Sequence, residues 1–364
     1  MFFPFAVHEL AVVNGSLSRL TAAFQRAGRR SSPGVRINQV LEKKMNGSKN
    51  RFRVTIAAIA FGLAALIALP GMANAHGNAD KSQNQKRSVS KSKKVSIGFA
   101  ALNGAKPVTC GRQITDLGNT SRSAQLSDLR FYVSEVQLLK KGGGAVNVKL
   151  PTGSKWSYTK GKAAVTLIDL ENGTGSCVAE GTKGMNAKVQ GTVPKGSYMG
   201  VRYSVSVPES LNHTDPTTVP SPLNLTAMGW NWQFGHKFMK VELKQDGGIP
   251  WGSEIYYLHV GSTDCVGDPA AGDKAECGLP NRNKVTLGKF NPAKQRIAID
   301  FQRLFGGVNV AGDNMGGMEG MEMAMGGCMS VIDSSDCGPL FSALGMKLGT
   351  TKTTAQTAFR VVRK

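Results

Sequence analysis

The chain is short of histidine, of acidic residues and of closely spaced cysteines, and each shortage narrows the chemistry open to it. Its 364 residues include five histidines and six cysteines, and no two cysteines stand in a C-x-x-C spacing. That argues against thiolate metal ligation. No Asp-rich loop of the EF-hand type is present, so a dedicated calcium cage of that kind is absent. Lys and Arg number 45 against 24 Asp and Glu, a net charge of +21. The excess cations form no basic helix with interleaved aromatics, which argues against nucleic acid as a partner. There is no internal repeat, and only one long apolar run.

That run, Phe52–Leu69 (FRVTIAAIAFGLAALIAL), follows Lys43, Lys44, Lys49 and Arg51, carries Arg53 at its start and precedes Ala73-Asn74-Ala75. A basic flank, a short apolar core and a small-x-small site without a stop-transfer pattern read as a secretory signal cleaved before His76. The mature chain is therefore expected in the periplasm or outside the cell, where cysteines oxidise. Residues 45–75 form the signal, with Met45 as the expected start. Residues 1–44 read as an over-extended frame, with an N-terminal cytoplasmic extension as the alternative. Residues 1–75 hold ten Lys and Arg and two Asp and Glu, so +8 leaves with the precursor and +13 of the +21 remains. Residues 76–94 (HGNADKSQNQKRSVSKSKK) carry +5 of it and one Val, too little apolar surface to fold. They are expected to be a disordered basic linker suited to an anionic membrane surface or an acidic partner.

Residues 95–349 read as one all-β domain, an antiparallel β-sandwich with long functional loops and disulfides, followed by a C-terminal tail at 350–364. The 44 glycines, with many Val, Thr and Ser, favour strands and loops over helices. Strands are predicted from Val95, over 126–139, 163–170, 187–193, 200–207, 237–244, 254–260, 284–287 and 296–301, with turn residues between them. In 126–139 the apolar parity shifts from Leu129, Phe131, Val133 to Val136, Leu138, which predicts a bulge near Ser134-Glu135. One late helix is expected over 339–345, stopped by Gly345.

In an oxidising compartment an even cysteine count favours disulfides, and six cysteines allow fifteen connectivities. Locality favours Cys265–Cys277 and Cys328–Cys337, leaving Cys110–Cys177. The 208–235 connection holds four prolines, His213, Trp230 and Trp232. Long loops inside compact domains are usually functional. His213 in this loop, His259 at a strand end and His236 just after the tryptophans are the candidate metal ligands, since imidazole suits copper and zinc. In a strand, Trp230 and Trp232 would face the same way. A second feature is Met315, Met318, Met321, Met323 and Met325 in a Gly-rich stretch, whose soft thioethers suit Cu(I). After cleavage, the α-amine and imidazole of His76 form a small chelate for Cu(II).

The stretch LNHTDPTTVPSPLNLTAMGWNWQFGHKFMKVEL, with LHVGSTDC, NRNKVTL and GCMSVIDSSDCGPLFSALG, resembles the metallo-mystery pair four-Cys proteins, also called MbnP-like proteins. SDLRFYVSEVQLL and LIDLENGTGSC are similar too, so the resemblance runs from about Val95 to Met346. It implies a periplasmic copper-binding protein without turnover of its own, paired with a di-haem, cytochrome-c-peroxidase-like enzyme. It also implies that the partner can oxidise a tryptophan to kynurenine at the copper site, with Trp230 or Trp232 the candidates and Trp156 and Trp251 outside the signature. The chain departs from the pattern at His236, where an aromatic is commoner, and in its Met-rich insert. Two other classes stand beside this reading. One is a copper-dependent oxidoreductase, for which neither a type-1 His-Cys-His-Met pattern nor another catalytic constellation is present. The other is a metal-free adhesive or ligand-binding β-sandwich.

Overall fold

The computed structural model describes residues 91–231, 233–247, 251–311, 326–349 and 354–364. The expected signal, His76, Trp232 and the five methionines from Met315 to Met325 lie outside the described residues.

The strands in chain order are β1 (Ser92–Asn103), β2 (Lys106–Pro107), β3 (Gln113–Leu117), β4 (Arg122–Lys140), β5 (Ala145–Asn147), β6 (Ser157–Lys160), β7 (Ala163–Asp169), β8 (Lys188–Pro194) and β9 (Tyr198–Val205). They continue as β10 (Lys237–Gln245), β11 (Ile255–Gly261), β12 (Thr263–Val266), β13 (Glu276–Leu279), β14 (Asn283–Gly288), β15 (Gln295–Asp300), β16 (Gly326–Cys328) and β17 (Phe359–Arg363). Helices are α1 (Glu209–Asn212), α2 (Phe301–Phe305) and α3 (Cys337–Leu344).

Two sheets face each other. The smaller runs β17-β15-β1-β2 with β8 also on β1, and the larger runs β14-β9-β4-β10-β11-β16 with β3, β5 and β7 also on β4. Aromatic rings lock them together: Phe99 of the small sheet meets Phe131 and Tyr203 of the large one edge-on, at 5.6 and 5.7 Å. The sandwich is mostly antiparallel, as expected, but β1–β15 and β11–β16 are parallel pairs. Both join segments remote from each other in sequence, which hairpin reasoning from adjacent turns does not reach.

The central strand β4 is buried on both faces, and this positions the site. Leu126, Leu129, Phe131 and Val133 point into the main core, whereas Asp128, Arg130 and Tyr132 on the opposite face are equally buried. That second face is covered by a smaller apolar cluster that includes Tyr132, Leu167, Leu211, Leu223, Met228 and Phe238. The 208–235 connection is thus a lid packed on the sheet. The bulge expected near Ser134-Glu135 is present: the β4–β9 register shifts between Ser134 and Gln137, and Glu135 has φ +52°.

Three boundaries differ from expectation. The sheet takes in Ser92, Lys93 and Lys94 from the expected linker, because β8 pairs with them. Residues 359–363 of the expected tail are β17, zipped antiparallel to β15. Both segments carry too few core-facing residues to announce a strand, and pairing with a neighbour recruits them. The late helix spans Cys337–Leu344, with Gly345 at φ +71° closing it by donating to Phe341 and Ser342 carbonyls. The three disulfides are Cys265–Cys277 and Cys328–Cys337, the pairs that locality favours, and Cys110–Cys177, the pair that they leave.

Candidate metal centre

Asn212, the last residue of α1, organises one half of the centre. It is fully buried. Its Oδ1 accepts from the His236 backbone N–H at 3.0 Å, and its carbonyl oxygen lies 2.7 Å from His236 Nδ1. Its Nδ2 faces His213 Nε2 at 3.1 Å and donates to Ser262 Oγ at 3.4 Å. The adjacent Gly235 has φ +77°, and a Cβ there would strike Asn212. Glycine is required because the chain must turn left-handed against a side chain.

His213 follows α1 directly. The Asn212 amide nitrogen can only donate, so Nε2 accepts from it, and a metal at Nε2 would take the place of that hydrogen bond. The same nitrogen lies 3.6 Å from Glu209 Oε1 and 3.7 Å from Cys277 Sγ. His213 therefore rests against the β12–β13 hairpin, in which Cys265 and Cys277 are directly paired. His236 is different. Its Nε2 lies 2.9 Å from the Leu223 carbonyl, so both ring nitrogens face carbonyl oxygens. Burial pushes its pKa below the usual histidine range, and the carbonyl contacts oppose that only in part. A metal on either nitrogen would have to displace a carbonyl.

Trp230 does not lie in a regular strand. Gly229 and His236 form an isolated bridge, Trp230 N–H donates to the Gly235 carbonyl, and Gly235 N–H returns to Asn231. The expectation that Trp230 and Trp232 share a face involves Trp232, which lies outside the described residues. Gln233 ties the turn to the Gly267 carbonyl at 3.2 Å. The Trp230 indole lies flush on Gly261, where an added Cβ would meet the ring at 2.6 Å. It meets Phe234 edge-on at 6.3 Å.

Gly261 ends β11, and His259 stands two residues earlier on the same face. His259 is only 5% exposed. Its Nε2 lies 2.8 Å from Glu242 Oε1 on the neighbouring β10. Its Nδ1 is buried with no hydrogen-bond partner among the described residues. Burial lowers the His259 pKa, with the Glu242 bond working in the other direction. Burial also works against the Glu242 charge, yet the His259 bond and the Lys240 ammonium outweigh it and hold that carboxyl below its ordinary value. A neutral ring facing an ionised carboxylate donates from Nε2, which leaves the lone pair on Nδ1. This matches the carboxylate–histidine–metal arrangement.

Behind Glu242 lies a buried ionic network that sequence reasoning missed. Lys240 Nζ is 2.8 Å from Asp128 Oδ2, 2.9 Å from Glu180 Oε2 and 3.1 Å from Glu242 Oε1. The three carboxylates are close enough to share a cation, and Lys240 supplies it. Arg130 lies 2.9 Å from Asp128 and 3.4 Å from Glu171 and donates to the Glu180 carbonyl. The second close donor group, Cys110, Glu171 and Cys177, holds a disulfide, so its sulfurs are not free ligands. Opposite charges at alternate positions of strands that are otherwise apolar, Asp128/Arg130 and Lys240/Glu242, were the available signal.

Of the predicted ligands, the fold gathers His213 and His236 around Asn212. It sets His259 on the strand face where Trp230 lies against Gly261, tied to Glu242. The family model described as MbnP matches residues 92–330. The chain belongs to the MbnP family. Membership implies a metal-binding role, and His259 Nδ1, buried with no hydrogen-bond partner among the described residues, is the nitrogen best fitted to it. Among solved structures, MbnP from Methylosinus trichosporium is similar, at 28% identity and a TM-score of 0.63. The match covers 75% of this chain and 99% of that one. No curated protein matches significantly.

Proposed function

We propose that this MbnP-family chain is a periplasmic copper-binding protein, without turnover of its own, that works with a di-haem, cytochrome-c-peroxidase-like partner. The observation that carries the reading is His259: a buried imidazole, anchored at Nε2 by a carboxylate, with Nδ1 unpartnered beneath the strand end that Trp230 covers. Neutral imidazoles suit copper, and the described residues around them include no free thiol to compete. His259 and His213 would hold the ion, while His236, both of whose nitrogens are engaged, spaces the loop. Bound copper supplies a one-electron centre there. Trp230 or Trp232 is the residue the partner would oxidise to kynurenine, whose aryl amine ligates copper better than an indole nitrogen does. The basic segment before β1 would meet an anionic membrane surface, and the Met-rich insert would load Cu(I).

The test is metal analysis of protein purified from the periplasm, with and without the partner. Stoichiometric copper, lost in His259→Ala and His213→Ala, supports the reading. So does a loop tryptophan whose mass shows a gain of O2 and a loss of CO. Full copper occupancy in both histidine variants with both loop tryptophans unmodified refutes it. A metal-free protein would favour the adhesive or ligand-binding alternative.

A further inference from the structure

We infer that Glu242, clamped by Lys240, is the positioning residue that makes Nδ1 of His259 the atom presented to metal. This rests on the copper reading above and specifies how the fold prepares its ligand.

A histidine has two chemically similar nitrogens, and a site that leaves both free to exchange a proton presents the wrong one part of the time. Here the choice is fixed by neighbours. Glu242 Oε1 sits 2.8 Å from Nε2, and an ionised carboxylate only accepts, so Nε2 must carry the hydrogen. Glu242 cannot turn away, because the same oxygen lies 3.1 Å from Lys240 Nζ. Lys240 cannot turn away either: Asp128 and Glu180 hold its ammonium at 2.8 and 2.9 Å.

The β-sheet register enforces the geometry. Lys240 stands opposite both His259 and Arg130, and Glu242 stands opposite Asp128, so the four strand residues of the clamp share one face of β4, β10 and β11. The side chains of Asp128, Lys240, Glu242 and His259 are 0, 3, 5 and 6% exposed, so water does not compete for these bonds. Glu180, about half exposed, closes the cluster from the outside. It comes from the segment that the Cys110–Cys177 disulfide anchors.

The discriminating variant is Glu242→Gln. It keeps size and leaves Lys240 paired with Asp128 and Glu180, but an amide can either accept from or donate to Nε2, so it no longer dictates the tautomer. Two readouts apply. In metal-free, 15N-histidine-labelled protein, the His259 ring shifts should show a protonated Nε2 and a bare Nδ1, and Glu242→Gln should mix the two tautomers. Competition titration with Cu(II) alone should show affinity falling about 10- to 100-fold, as for other second-layer partners of metal-bound histidine. A wild-type ring protonated at Nδ1 overturns the inference. So does a variant that keeps both the tautomer and the affinity while the wild type binds copper. A wild type that takes no copper sinks the copper reading and this inference with it, so the two failures are told apart.

Discussion

Replacing Arg130 with methionine should unfold this protein more readily than almost any surface change, and in a pH-dependent manner. Arg130 is fully buried between Asp128 and Glu171, with Asp169 beside it across the β4–β7 pairing. Methionine roughly fills the volume but removes the cation, and Lys240 then remains to compensate Asp128. Removing one partner of a buried ion pair costs about 3–5 kcal/mol, because the other charge stays desolvated. At about 2–4 °C per kcal/mol for a domain of this order, the midpoint of thermal unfolding should drop by roughly 10 °C. The penalty should shrink on acidification. Burial raises Asp128 to about 6 and Asp169 to about 8 even with Arg130 present. Without the guanidinium both take up protons at still higher pH, and a neutral carboxyl no longer needs a partner. Urea unfolding followed by tryptophan fluorescence between pH 5 and pH 9 measures both effects, provided the m-value stays constant. A loss below about 1 kcal/mol, or a penalty that grows as pH falls, would refute the reasoning.

Other outcomes follow from the same geometry. A raised carboxyl pKa in the folded state means that the native protein binds more protons than the unfolded chain. The stabilisation from Asp128 and Asp169 is therefore complete below the ordinary value of 3.8 and is lost as pH rises through about 6 and about 8. Asp169→Asn should flatten the alkaline part of that slope in melts taken across pH. Gly261→Ala puts a methyl 2.6 Å from the Trp230 ring, so near-ultraviolet circular dichroism should change and stability should fall by about 1–3 kcal/mol. An unchanged indole signal would mean that Trp230 does not rest there. Asn212→Ala leaves the buried His236 N–H without its acceptor and should cost about 1–3 kcal/mol in urea melts. A neutral result would remove Asn212 from the centre of the loop.

Much of the architecture could be read from residues alone. The β4 bulge was visible because a parity shift in apolar residues has one simple cause, an extra residue in the strand. The end of α3 was visible because Gly345 is the residue that closes a helix left-handedly. Two disulfide pairs were legible because short loops close at least entropic cost, and Cys110–Cys177 was what they left. The candidate histidines could be named because so few exist, and the family signature lay across them. The sequence could not show which imidazole nitrogen is free. That depends on Glu242 standing opposite Tyr257 and diagonal to His259, a matter of register between β10 and β11.

Local order and chemistry class were thus determined by the chain itself: strands by alternation, turns by glycine and proline, and a metal-binding family by its loop signature. The tertiary structure alone decided that Asp128, Arg130, Lys240 and Glu242 are interior. Charged side chains in a strand ordinarily mark its wet face, and here the 208–235 lid and the Glu180 segment exclude water from it. Once water is gone each charge must find a partner within about 3 Å, and that requirement, set by desolvation, fixes His259 in place.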